Sequence, residues 1–176
     1  MKANRFLSAL LLLCCIKAHA LTKCYLSDSI QVVRVGQHSQ GAIFPSSYKT
    51  PYRDLERRQK FTPTVEEVLL AEKLLSEQYN NAYEQFPALE HYTRRSVNTN
   101  KKFKRYYRQY VGFYNAKGEK IIFIHLMNFR NKKKAGQMFG NWTKEVIIGN
   151  GGFYDKNREL FDVNIDKKTV SLSGVD

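Results

Sequence analysis

Cysteine, histidine and paired carboxylates are the side chains best suited to nucleophilic, acid–base or metal chemistry, and their spacing here assembles no known set. His38, His91 and His125 include no pair at the four-residue helical spacing of a zinc protease. Cys14 and Cys15 lie in an amino-terminal apolar run that reads as a removable export signal, so Cys24 alone remains and thiolate clusters are excluded. A lone Cys24 with a histidine base would need a pocket around it, and its neighbours suggest none. His125 stands between Ile124 and Leu126, which reads as a structural histidine in a central strand. Glu66 and Glu67 have a helix-capping role. Asp162, Asn164 and Asp166 alternate along one strand face and carry the hard oxygen ligands that calcium prefers. The calcium loop's glycine and closing glutamate are absent, so these residues read as a solvated face. Gly118-Glu119-Lys120 and Gly149 to Gly152 lack the phosphate-loop spacing and read as hairpin turns. We expect no catalytic set, no metal site and no cofactor. Asn141-Trp142-Thr143 matches the N-glycosylation pattern, which matters only in a eukaryotic secretory pathway.

One feature rises above this background. Arg94, Arg95, Lys101, Lys102, Lys104, Arg105 and Arg108 form a run without an acid, interleaved with Phe103, Tyr106, Tyr107 and Tyr110. Arg130-Asn131-Lys132-Lys133-Lys134 adds a second cluster. Cations neutralise phosphates or other anions, and aromatic rings such as Tyr106 and Tyr110 can stack on bases, so the segment is a candidate polyanion site. If the strands flanking the turn at 115–118 pair, both clusters come to the same end of one hairpin. The plainer alternative is a solvated basic face whose aromatics pack across strands.

The elements that position these residues can be read in outline. The chain has 176 residues, 43% hydrophobic and 26% charged, which suits one globular domain. Its formal charge of +13 bears on association with anions, not on fold. Lys2 and Arg5, the apolar stretch Phe6 to Ile16, and Ala18-His19-Ala20 have the order of a secretory signal peptide cleaved after Ala20. The apolar run is too short to span about 30 Å of hydrocarbon, and no later stretch is long enough. Residues 1–20 are thus expected to be a signal, with the mature chain periplasmic or extracellular. Residues 21–60 read as an irregular approach with one short strand at Ile30 to Val35.

Residues 61–176 read as the folded domain. Thr64-x-x-Glu67 is a capping box behind Pro63, and Val65, Val68, Leu69, Leu75, Tyr79, Ala82, Tyr83 and Phe86 follow helical steps. Glu72 is the only polar member of that stripe, and Pro87 closes the helix. Phe103 to Tyr114, the turn Asn115 to Gly118, and Lys120 to Phe129 predict a hairpin. Ile121-Ile122-Phe123-Ile124 is apolar on both faces, which predicts a central strand. Trp142 to Ile148, Leu160 to Ile165 and Val170 to Leu172 follow as expected strands. The expected fold class is α+β, with one long N-terminal helix packed on an antiparallel sheet of about four strands.

That order resembles the cystatin-like arrangement. Phe61-Thr62-Pro63-Thr64-x-Glu66-Glu67, Tyr107-Arg108-Gln109-Tyr110-x-Gly112-Phe113, Gly118-Glu119-Lys120-x-Ile122, Gly151-Gly152 and the terminal Ser173-Gly174-Val175 also resemble a family of small exported bacterial proteins, common in the Bacteroidetes, of unknown function. The resemblance runs from about residue 61 to the end and implies fold and export, with no activity attached. The functional expectation is an exported, non-enzymatic binding or interaction module for an anionic partner: a surface polymer, lipid headgroups, nucleic acid or an acidic protein. The alternative is a small exported hydrolase or lyase with a helix/sheet pocket around His125.

Overall fold

A strand apolar on both sides needs cover on both faces, and the computed structural model, which describes residues 28–35, 39–84 and 98–173, gives Ile121–Ile124 that position. The described elements are β1 (Gln31–Val35), β2 (Ser39–Phe44), α1 (Arg53–Glu56), β3 (Lys60–Phe61), α2 (Val65–Glu84), α3 (Thr99–Phe103), β4 (Tyr106–Tyr114), β5 (Lys120–Asn128), α4 (Lys132–Met138), α5 (Gly152–Asn157), β6 (Arg158–Asn164) and β7 (Thr169–Leu172). One sheet runs β1-β2-β4-β5-β6-β7, and β3 pairs with the far end of β4 on the edge that β2 occupies lower down. All pairs are antiparallel except β2–β4. The signal segment, Cys24, His38, His91, Arg94, Arg95, Phe86, Pro87 and the terminal Gly174-Val175 lie outside the described residues.

The α+β class holds, but the expected architecture is corrected. The long helix is mid-chain, and the sheet among the described residues is a seven-stranded mixed one. Cover on both faces and a parallel β2–β4 pair depart further from the expected single helix on an all-antiparallel sheet. The additional strand β2 was hidden because Ser-Gln-Gly-Ala-Ile-Phe does not alternate. Five of its six residues are buried, as suits an inner strand. A Cβ at Gly41 would collide with the Tyr110 ring, so glycine is what lets β2 and β4 lie together.

Side-chain alternation along β4 and β5 divides the interior in two. Tyr106, Tyr110, Ile122, Ile124 and Leu126 pack under α2 with Val68, Leu75, Tyr79 and Ala82. Val111, Phe113, Phe123 and Met127 point the other way, against Phe44, Leu55, Phe139, Trp142, Val146 and Ile147. The capping box forms as expected, Thr64 N–H donating to Glu67 at 2.9 Å and Glu67 N–H to Thr64 Oγ1 at 3.2 Å. The hairpin turn forms too, with Gly118 at φ +75°. Val65 and Leu69, expected on the buried stripe, are 39% and 50% exposed at its margin.

Trp142 to Ile148 is not a strand. The segment lies across the second sheet face, its start held by turn bonds to Phe139 and Asn141 and the rest by side chains. Gln109 Nε2 donates to the Trp142 and Glu145 carbonyls, both at 2.7 Å, and its Oε1 accepts from Ile147 N–H at 2.9 Å. Tyr48 accepts from Val146 N–H, and Tyr52 donates to the Ile147 carbonyl. The apolar residues that read as a strand are buried here without a neighbouring strand.

Candidate functional site

The β4–β5 hairpin ends in a main-chain bond, Phe129 N–H to the Arg105 carbonyl at 2.8 Å, directly beyond the Tyr106–Asn128 pair. The two basic segments therefore meet at one end of the sheet. Lys101, Lys104, Arg105, Arg130, Lys132, Lys133 and Lys134 are all exposed there. None of them is ion-paired among the described residues; the recorded pairs use Lys60, Lys73, Lys102, Arg108, Lys120 and Lys167. Lys132, Lys133 and Lys134 occupy the first turn of α4, whose helix dipole disfavours cations. Asn131 caps that helix, accepting from Lys134 N–H at 3.1 Å. Folding gains little from these charges, which leaves their role at the surface.

Four members of the expected site turn inward instead. Arg108 is 3% exposed, its guanidinium 3.1 Å from Glu72, and Nη1 donates to the carbonyls of Phe103 and Tyr106. Tyr110, fully buried, donates to Glu72 at 2.8 Å, and burial together with that carboxylate holds its phenol well above the usual range. Lys102 pairs with Glu159 at 2.6 Å and bonds the Tyr79 hydroxyl. Glu159 also accepts from Tyr79, Tyr83 and Tyr106. Tyr106 and Tyr110 are therefore packing and hydrogen-bonding residues beneath α2, not stacking platforms. Sequence reasoning missed Glu159 and Gln109, and noticed Glu72 only as the odd member of an apolar stripe. That oddity was the available signal, since a carboxylate on a buried face requires a partner.

Beside the basic end, α2, α3 and the facing ends of β1 and β2 enclose a cleft of about 510 Å³. Its lining includes Leu69, Glu72, Lys73, Ser76, Thr99, Lys104 and Arg108. The Ser76 and Thr99 hydroxyls are 3.0 Å apart. A second depression, of about 930 Å³, lies at the opposite end of the hairpin between Arg58 and the 114–118 turn.

His125 belongs to neither space. It is fully buried on the face turned away from α2, and neither ring nitrogen has a hydrogen-bond partner. Burial, reinforced by the Arg158 cation, depresses its pKa to about 3, so the ring is neutral. The helix/sheet pocket of the enzyme alternative thus lacks its acid–base histidine. Asn164 Oδ1 accepts from Lys167 N–H and Asp166 Oδ2 from Lys120 N–H, so these two side-chain oxygens are held by main-chain donors. Among the described residues no group of three or more His, Cys, Asp or Glu is placed to hold a metal ion, and no helix is long and apolar enough to cross a membrane. No family model, curated protein or solved structure matches the chain.

Proposed function

We propose that this chain is an exported, non-enzymatic binding module that recognises an anionic polysaccharide through the basic end of its central hairpin. The observation that carries the proposal is the Phe129–Arg105 bond, which gathers on one surface two clusters of exposed cations that form no ion pair among the described residues. Among anionic partners, a polysaccharide is favoured over single-stranded nucleic acid because Tyr106 and Tyr110 are internal and offer bases nothing to stack on. Burial of His125 behind the sheet weighs against the hydrolase or lyase. Export rests on the Lys2–Ala20 pattern and on the resemblance to exported bacterial proteins.

Heparin is a suitable probe. The mature protein should be retained at low salt, with affinity falling steeply as salt rises, because each contact releases counterions. Replacing Lys101, Lys104, Arg105, Lys132, Lys133 and Lys134 by Gln should flatten that salt slope and leave the melting temperature nearly unchanged, since exposed unpaired charges contribute within about 0.5 kcal/mol. Equal retention of the two proteins would overturn the assignment. Stronger binding to single-stranded DNA than to heparin of similar charge would overturn the choice of partner.

A further inference from the structure

We propose that the cleft between α2 and α3 is a subsite for one or two acidic sugar units of the polymer, a uronate end in particular; this rests on the polysaccharide reading above. Continuity is the first argument: Lys104 lines the cleft and also belongs to the exposed basic surface, so one chain can run over the surface and end in the cleft.

The chemistry of the walls is the second argument. Lys73 and Lys104 carry the positive charge a sugar carboxylate needs, and among the described residues Lys73 is ion-paired only at a long 4.0 Å to Glu77. The Glu72 carboxylate takes Arg108 Nε, Arg108 Nη2 and the Tyr110 hydroxyl. Nε reaches both oxygens, so these four contacts fill the roughly four acceptor sites of the carboxylate, and Glu72 shapes the wall of the cleft with its charge matched by Arg108. Ser76 and Thr99 present hydroxyls beside it. Vicinal sugar hydroxyls both donate and accept, which matches the two neighbouring side-chain hydroxyls. Leu69, half exposed on the lining, offers an apolar surface for the C–H face of a sugar ring. About 510 Å³ lies within the range of small-ligand sites. A nucleobase is not favoured, because the one aromatic of the lining, Phe103, is only 6% exposed.

Digalacturonate, neutral galactobiose and heparin separate the cleft from the surface. Calorimetry or ligand-detected NMR should show digalacturonate binding and no galactobiose binding at the same concentration. Ser76→Phe, which places a ring in the cleft, should weaken digalacturonate at least about tenfold, and Lys73→Gln, on an exposed side chain that cannot unfold the domain, about threefold. Both variants should keep heparin retention within about twofold. Absence of digalacturonate binding, equal binding of galactobiose, or unchanged affinity in Lys73→Gln would overturn the subsite and leave the polysaccharide surface standing. Replacing Lys101, Arg105, Lys132, Lys133 and Lys134 by Gln, with Lys104 of the cleft kept, should lower heparin retention without loss of digalacturonate. Failure of the unmodified protein to bind heparin, with digalacturonate still bound, would overturn the surface reading and the polymer context of the subsite together.

Discussion

His125 makes stability depend on pH from about 6.5 downwards, and between 6.5 and 5 few other groups titrate. In the fold its ring is neutral, with a pKa of about 3, because it is fully buried and faces the Arg158 cation without a hydrogen-bond acceptor. In the unfolded chain it titrates near 6.5. The unfolded state therefore binds the extra proton first, so the stabilising difference is present above about 6.5 and is lost as pH falls towards 3. Each unit of pH in that window removes about 1.4 kcal/mol, so moving from pH 6.5 to pH 5 removes about 2 kcal/mol. For a domain of this size that is a fall of roughly 4–8 °C in melting temperature. His125→Leu supplies the control, since an apolar residue leaves no unpaired nitrogen, and its stability at pH 7 should equal or exceed that of the unmodified protein. Urea unfolding of both proteins at pH 7, 6 and 5 gives the double difference, in which every other titrating group cancels. Arg158 is the cation facing the ring, and Asp162 lies diagonally across the β5–β6 pair, so both remain in the control. Equal pH slopes for the two proteins would refute the buried, neutral assignment.

Three further outcomes follow from the same structure. Arg108→Met should destabilise the fold by about 3–5 kcal/mol by leaving Glu72 unpaired, and Glu72→Met in addition should recover much of that loss; denaturant melts of the three variants test it. Gln109→Leu should cost about 2–4 kcal/mol and remove hydrogen-exchange protection at the Ile147 amide first, because that amide and two carbonyls lose their side-chain partner. Protein recovered from the periplasm or medium should begin at Leu21 on amino-terminal sequencing, and a chain still starting at Met1 would exclude the cleavage.

Local signals were legible where the chain itself supplies the constraint. Thr64 and Glu67 need only each other to start α2, and Asn115 to Gly118 needs only its own backbone to turn the hairpin. A doubly apolar run at Ile121–Ile124 announced its central position for the same reason. Strand β2 and the Trp142–Ile148 segment were illegible because their conformations depend on residues far away in sequence. Gly41 is explained by Tyr110, and the backbone of Trp142, Glu145 and Ile147 by Gln109. A β-rich composition records burial, and burial is available on top of a sheet as well as within it.

The candidate site divides along the same line. Charge density from Lys101 to Arg108 is visible in sequence, but its sorting into interior and exterior depends on α2. Tyr106, Arg108 and Tyr110 share one face of β4, and α2 brings Glu72 to that face, while Glu159 arrives from β6. Without those two carboxylates, burying Arg108 and Lys102 would be prohibitive, and both would join the surface. The acidic helix of a basic protein is therefore not a diffuse counterbalance. It neutralises one cation of the run through Glu72, as β6 neutralises another through Glu159, and the cations left at the hairpin end have no ion-pair partner among the described residues. A surface whose charge the fold does not use is where an anionic ligand gains most, and the heparin salt slope measures that charge directly.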